Sequence, residues 1–164
     1  MTTSLVRTRY ATDDDVGAVL ALHDRCSPQT LERRFHVPTR RVPESVVREL
    51  VTPRRGWSLV AQQGAEVVGH GCAGETSPGQ VEVGLLVDDA FQGTGIGTRL
   101  MRDLAATAAE RGYASLLCSV SPDNASVLPT VRRAGLDSVS RYVDGVVEIE
   151  VPLLEHPARM QQPA

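Results

Sequence analysis

Six consecutive residues, Gln92, Gly93, Thr94, Gly95, Ile96 and Gly97, constrain this chain more than any other stretch. An apolar run at 81–87 precedes them. An apolar repeat at helical spacing follows, made of Ile96, Leu100, Leu104 and Ala108. A strand that turns through alternating glycines into a helix aims several backbone N–H groups at one point, on the positive end of the helix dipole. Such a cradle holds a pyrophosphate without any basic side chain. That matters because the chain has no lysine, and its 17 basic residues are all arginine. P-loop nucleotidases, protein kinases and pyridoxal enzymes each need a lysine on the phosphate or the cofactor, so all three classes are excluded. The glycines read Gly-x-Gly-x-Gly rather than Gly-x-Gly-x-x-Gly, and the strands before them are hairpin-like. Both features count against a dinucleotide-binding unit.

The 164 residues, 41% of them apolar, predict one globular domain with a sizeable core. The domain is expected over 1–154, with 155–164 as a polar, proline-containing tail. Net charge is −3, so no general attraction to nucleic acid or to a membrane surface is expected. No apolar run is long enough to span a bilayer, and the first residues carry no signal-peptide pattern. Cys26, Cys72 and Cys118 are isolated, which fits a reduced, cytoplasmic setting and no metal site. Either a monomer or a homodimer fits this composition.

Alternation at 5–10 predicts a first strand. Thr12 followed by Asp13, Asp14 and Asp15 starts a helix, Ser27-Pro28 starts a second, and Pro43 opens a third helical stretch. Strands are predicted at 57–62, 66–74 and 81–87, then the helix from Ile96 to about Gly112 and a strand at 114–120. Pro122-Asp123-Asn124 starts another helix that closes at Gly135, with Pro129 expected to kink it or shorten its start. Asp144-Gly145 closes a hairpin between strands at 136–143 and 146–151.

The succession of strand, Gln-x-x-Gly-x-Gly loop, helix, strand, asparagine, helix and hairpin resembles the GCN5-related N-acetyltransferase (GNAT) superfamily. The likeness extends over 5–153 and is most specific over 81–136. It implies an α/β (α+β) fold: a single GNAT-type domain with a mostly antiparallel mixed sheet of six or seven strands and about four helices. It also implies acetyl-CoA as co-substrate. By position, Gly93, Thr94, Gly95, Ile96, Gly97 and Thr98 would offer N–H groups to the pyrophosphate, and Gln92 would hold the loop. Backbone groups of Leu86 and Val87 would bind the pantetheine arm and orient the acetyl carbonyl. Asn124 would contact that arm, a helix N-cap being its alternative role.

Acetyl transfer needs a neutral amine, and alkyl amines are protonated near neutral pH, so a general base is required. Glu82 is the candidate, because a carboxylate inside an apolar strand is costly unless it is used or paired. Protein-lysine acetyltransferases of the superfamily carry a glutamate on the same strand. Glu75 is a weaker alternative. The tyrosine that often protonates the departing thiolate has Val131 at its position, leaving Tyr142 or unassisted departure. Between residues 30 and 60, seven arginines face three acids. The segment at 26–35 is similar to one in bacterial acetyltransferase domains that modify acyl-CoA synthetases on lysine. Together these favour a protein lysine as acceptor. A small-molecule amine acceptor and a non-catalytic acyl-CoA sensor are the alternatives.

Overall fold

The computed structural model describes residues 5–153, so the whole of the expected tail, 155–164, lies outside the described residues. The chain runs β1 (Arg7–Tyr10), a 3₁₀ turn (Asp13–Asp15), α1 (Val16–Arg25), α2 (Pro28–Phe35), α3 (Glu44–Val51), then β2 (Gly56–Gln63), β3 (Glu66–Ser77) and β4 (Gln80–Val87). A second 3₁₀ turn (Asp89–Phe91) leads to α4 (Ile96–Glu110), β5 (Ser115–Val120), α5 (Val127–Arg133), β6 (Val139–Val143) and β7 (Val146–Pro152). The seven strands form one sheet in the order β1-β2-β3-β4-β5-β7-β6, antiparallel except where β4 meets β5. This is the mixed α/β architecture that the sequence predicts, with five α-helices among the described residues rather than about four.

Strand alternation sends apolar side chains to both faces. On one face Leu59, Ala61, Val81, Val83, Leu116 and Cys118 pack under α4 and α5. On the other, Val60, Val67 and Leu86 pack under Val19, Leu22, Leu31 and Val47 of α1, α2 and α3. Helix α4 lies close on β3 because that strand carries glycine beneath it. A Cβ on Gly71 would stand 2.9 Å from a methyl of Leu104. This closeness fixes where the N-terminus of α4 points.

Strands β1 and β6 begin at Arg7 and Val139, two and three residues later than the sequence suggests, and one helix also starts late. Helix α5 starts at Val127, not near 122–124, and Pro129 occupies its first turn. The N–H groups of a first turn have no intrahelical acceptor, so a proline there breaks no helical bond. The start is shortened and the helix is not kinked internally.

Arg9 and Asp15 tie β1 to the start of α1. The buried Asp15 carboxylate accepts from both Arg9 Nη atoms at 2.8 and 2.7 Å and from the Thr12 N–H at 2.8 Å. The bond from the Arg9 guanidinium holds that carboxyl below the usual range.

His23 and His70 are both buried, and the Nε2 of each has no hydrogen-bond partner. His23 Nδ1 bonds the Val19 carbonyl at 2.7 Å. Burial, with the Arg34 charge nearby, lowers the pKa of both, that of His70 to about 3. Both rings are therefore neutral in the fold, whereas an unfolded histidine takes up a proton near ~6.5. Their stabilising contribution is complete above that value and is lost as pH falls, for His70 down to about 3. The unfolding free energy should drop by roughly 1.4 kcal/mol per pH unit from His70 alone between about pH 6 and 4.5. Asp15 adds its own loss only below about pH 4. Urea unfolding across that range checks this: His70→Leu should flatten the slope, and an unchanged slope would refute the assignment.

Candidate active site

The site is a gap in the sheet. On one edge β4 pairs with β3 along its whole length, from Gln80 to Val87. On the other it pairs with β5 only at Gln80, Val81 and Glu82, opposite Ser115, Leu116 and Leu117. Beyond Glu82 the strands part, and Cys118 to Val120 keep pairing only with β7. An unpaired strand edge offers N–H and C=O groups to whatever enters.

Antiparallel ladders alternate, and the Asp88 N–H bond to the Val68 carbonyl at 3.0 Å sets the phase here. Leu86 therefore turns its backbone groups toward β3, where it sits opposite His70. Leu85 and Val87 turn theirs into the gap. Of the pair read from the sequence, Val87 presents backbone to the gap; Leu86 lines it but has its own backbone engaged. Leu85 is the residue the sequence reading missed, and the period of two along the strand is the signal that identifies it.

The gap continues into a groove of about 670 Å³, lined among others by Leu85, Val87, Gln92, Gly93, Gly95 and Asn124. Gly97 and Thr98 also line it. Gly93 and Gly95 have φ of +75° and +92°, in the left-handed region that favours glycine. Gly95 is the N-cap of α4, whose first helical bond runs from the Arg99 N–H to the Gly95 carbonyl at 3.0 Å. The N–H groups of Ile96, Gly97 and Thr98 thus lack intrahelical acceptors. Thr94 and Ile96 are not among the lining residues. Thr94 gives its hydroxyl to the Phe91 carbonyl, and Ile96 is buried in the core beneath the helix.

Gln92 holds the loop in place. Its Nε2 donates to the Val87 carbonyl at 3.1 Å and to Thr30 Oγ1 at 3.2 Å. Asp89 accepts from the Ser27 N–H at 3.1 Å and from the Thr30 hydroxyl at 3.2 Å, which pins the start of α2 to the same loop. Arg25 closes the set on Asp88 at 2.8 Å. Asp88 and Asp89 were given no role from the sequence, since two acids after a strand look like ordinary turn residues. Asn124 is half-buried and does not cap α5. Its Oδ1 accepts from the Ser126 hydroxyl at 2.7 Å, and Ser126 is the N-cap.

A second cavity, about 440 Å³, opens on the far side of the gap. Glu82, Glu75, Cys72 and His36 line it, and Arg33, Arg34, Leu85, Asn124 and Val127 line both spaces. Glu82 is half-buried and has no hydrogen-bond or ion-pair partner among the described residues. Its charge, after burial, helps push the Cys118 thiol up to about 12. Glu75 is exposed and accepts from the Tyr113 hydroxyl at 3.1 Å. Val131 is fully buried and lines neither space, while Tyr142 is 71% exposed on the edge strand β6 and lines neither as well.

A family model described as Acetyltransferase (GNAT) family matches residues 19–136. The chain belongs to that family. It is an N-acetyltransferase, and acetyl-CoA is its acetyl donor. Among solved structures, this acetyltransferase is similar to the GNAT domain of S. lividans PAT, at 27% identity and a TM-score of 0.82 over 90% of each chain. It also shares the fold of yncA, a putative acetyltransferase from Salmonella typhimurium solved with acetyl-CoA, at 19% identity and a TM-score of 0.73 over 93% and 96% of the two chains. The aminoglycoside acetyltransferase AAC(6')-Ib, solved with coenzyme A, is 18% identical with a TM-score of 0.67 over 90% and 93%. No curated protein matches the acetyltransferase in sequence.

The glycines separate two effects. A Cβ on Gly95 meets nothing within 4 Å, so Gly95→Ala suffers only from its backbone angle, by about 1–2 kcal/mol, besides intruding on the groove. A Cβ on Gly97 makes ordinary contacts, at 3.8 and 3.9 Å. Gly97→Ala should therefore keep the melting temperature while weakening CoA binding, and Gly95→Ala should lower both. Calorimetric titration with CoA, paired with thermal unfolding, distinguishes the two; equal losses of stability would overturn the distinction.

Proposed function

We propose that the enzyme acetylates a primary amine by direct attack on the thioester, with a protein lysine as acceptor, in the cytoplasm. The observation that carries this reading is the placement of Glu82, a half-buried and unpartnered carboxylate on the acceptor side of the gap. The pyrophosphate lies against Gly93, Gly95, Gly97 and Thr98 and the free N–H groups at the start of α4. Thr94 and Ile96 help by shaping that turn. Leu85 and Val87 bond the pantetheine arm as an added strand, and Asn124 meets it from the opposite wall. Glu82, directly or through a water, takes the proton of the incoming ammonium. The neutral amine attacks the carbonyl carbon, the C–N bond forms and the C–S bond breaks.

Charge supports the choice of acceptor. Two carboxylates, Glu75 and Glu82, face the acceptor cavity, with Arg33 and Arg34 at its inner end. These four charges cancel, so the lining offers no net attraction for a polycation such as an aminoglycoside or polyamine, while Glu82 can still meet one ammonium on an alkyl chain. The likeness of the 26–35 segment to lysine-modifying domains points the same way. The free Cys26, Cys72 and Cys118 suit a reducing compartment.

Thiol release over a panel of lysine peptides, polyamines and aminoglycosides tests the acceptor; turnover confined to the polycations would refute it. Glu82→Gln should lower kcat/KM about 10²-fold or more and remove the basic requirement from the pH–rate profile, with CoA affinity unchanged. An unaltered profile would show that the proton goes elsewhere.

A further inference from the structure

An acetyl donor in the groove and an amine in the second cavity can react only where the two spaces meet. Of the side chains at that junction, two are charged: Arg33 and Arg34. Arg34 is the one held in place. Its Nη2 donates to Cys72 Sγ at 3.2 Å, and its guanidinium rests 5.2 Å from the centre of the Phe35 ring. It lies on Gly84, where a Cβ would overlap the guanidinium. Among the described residues it has no carboxylate partner, and its one hydrogen-bond acceptor is a sulfur. Arg33 makes no hydrogen bond or ion pair among the described residues, and its buried Nε is unpartnered.

We propose that Arg34 is a catalytic residue that stabilises the negative charge of the departing CoA thiolate, in place of a proton donor from α5. The inference rests on the donor-site reading above and needs no particular acceptor. The two acids that the sequence reading considered are out of place: position 131 is a valine, with no proton to give, and Tyr142 is exposed on the edge strand. A guanidinium stays charged across the working range, so it gives no proton, but it binds an anion strongly. The step balances without an added acid. Glu82 passes the first ammonium proton on to water in the cavity; the neutral amine nitrogen then bonds to the carbonyl carbon, its surplus proton goes to the regenerated Glu82 carboxylate, and the C–S electron pair leaves on sulfur as a thiolate beside Arg34. The other titratable groups that face it line the second cavity alone: Glu82 of β4, Glu75 and Cys72 of β3, Cys118 of β5 and His36 after α2. The carboxylates disfavour a thiolate, so only the two arginines oppose them with fixed positive charge. The missing side chain at Gly84 is the space that lets Arg34 lie there.

The test titrates the thiol of bound CoA by its thiolate absorbance, with the acetyl-CoA complex as blank. Cys26 and Cys118, pushed up to about 12 mainly by burial, stay silent below about pH 10. In the wild-type complex the thiol should titrate about 1–2 units lower than in Arg34→Gln, with Arg34→Lys between them. Arg34→Gln should also lower kcat about tenfold to a hundredfold with little change in KM for acetyl-CoA. Gly84→Ala keeps the charge but fills its place, and should shift the thiol in the same direction; it carries the test should Arg34→Gln fail to fold. Equal thiol titration in wild type and a folded variant, with CoA still bound, would overturn the proposal. Failure of the wild type to bind CoA would instead overturn the donor-site reading.

Discussion

The parting of β4 from β5 after the Glu82–Leu117 pair is the constraint on which the rest depends. A parallel pair that ran its full length would satisfy every backbone group and leave no site. Here β4 gives one edge wholly to β3, and β5 gives one edge wholly to β7, so each keeps a half-free edge facing the other. Unpaired backbone polar groups are expensive when buried away from water. Keeping the gap solvent-filled until the donor enters avoids that cost. On the proposed reading the donor's amide-bearing arm then supplies the missing partners, so affinity comes from bonds the sheet leaves unmade.

A gap alone would not fix the donor. On the proposed reading the phosphate end must sit at a set distance from the thioester end, and one polar cluster ties together the elements that would hold the two. Gln92 bonds the end of β4 and the start of α2 together, and Asp89 binds the same turn of α2. Arg25 on Asp88 adds the end of α1. The glycine loop, β4 and the helix carrying Arg33 and Arg34 are thereby joined through side chains within a few residues of each other. Glycines under α4 act at the other end, by allowing the helix to lie close enough on β3 for its N-terminus to face the gap.

How far this is legible in sequence depends on the range of each interaction. The glycine loop, the hairpin at Asp144-Gly145 and the α4 repeat are local, and each lies where the pattern puts it. Pro129 also told its story locally, since a proline fits a first turn, and the helix begins two residues before it. What the residues alone could not give is long-range. The phase of β4, which exchanges Leu86 for Leu85 at the gap, depends on a bond between Asp88 and Val68. The role of Asp89 depends on a helix 62 residues earlier in the chain. Arg34 was only one of seven arginines until the fold laid it on Gly84.

With Glu82 as the proposed base, the chemistry explains why such a site can lose its acid and keep its base. An alkyl amine such as that of lysine arrives as an ammonium with a pKa of ~10.4, so at neutral pH almost none of it can attack until a base removes a proton. The sulfur leaves with a thiol-like pKa near ~8.5, a modest cost that electrostatics alone can meet. A carboxylate on the acceptor side is therefore harder to dispense with than a hydroxyl on the donor side. Val131 is consistent with that asymmetry: the position closes over the core beneath α4, where an apolar side chain packs without a polar atom to satisfy. Fixed positive charge at the junction then acts on the thiolate without first having to lose a proton, so its effect on departure does not fade as pH rises through the range in which the amine becomes reactive.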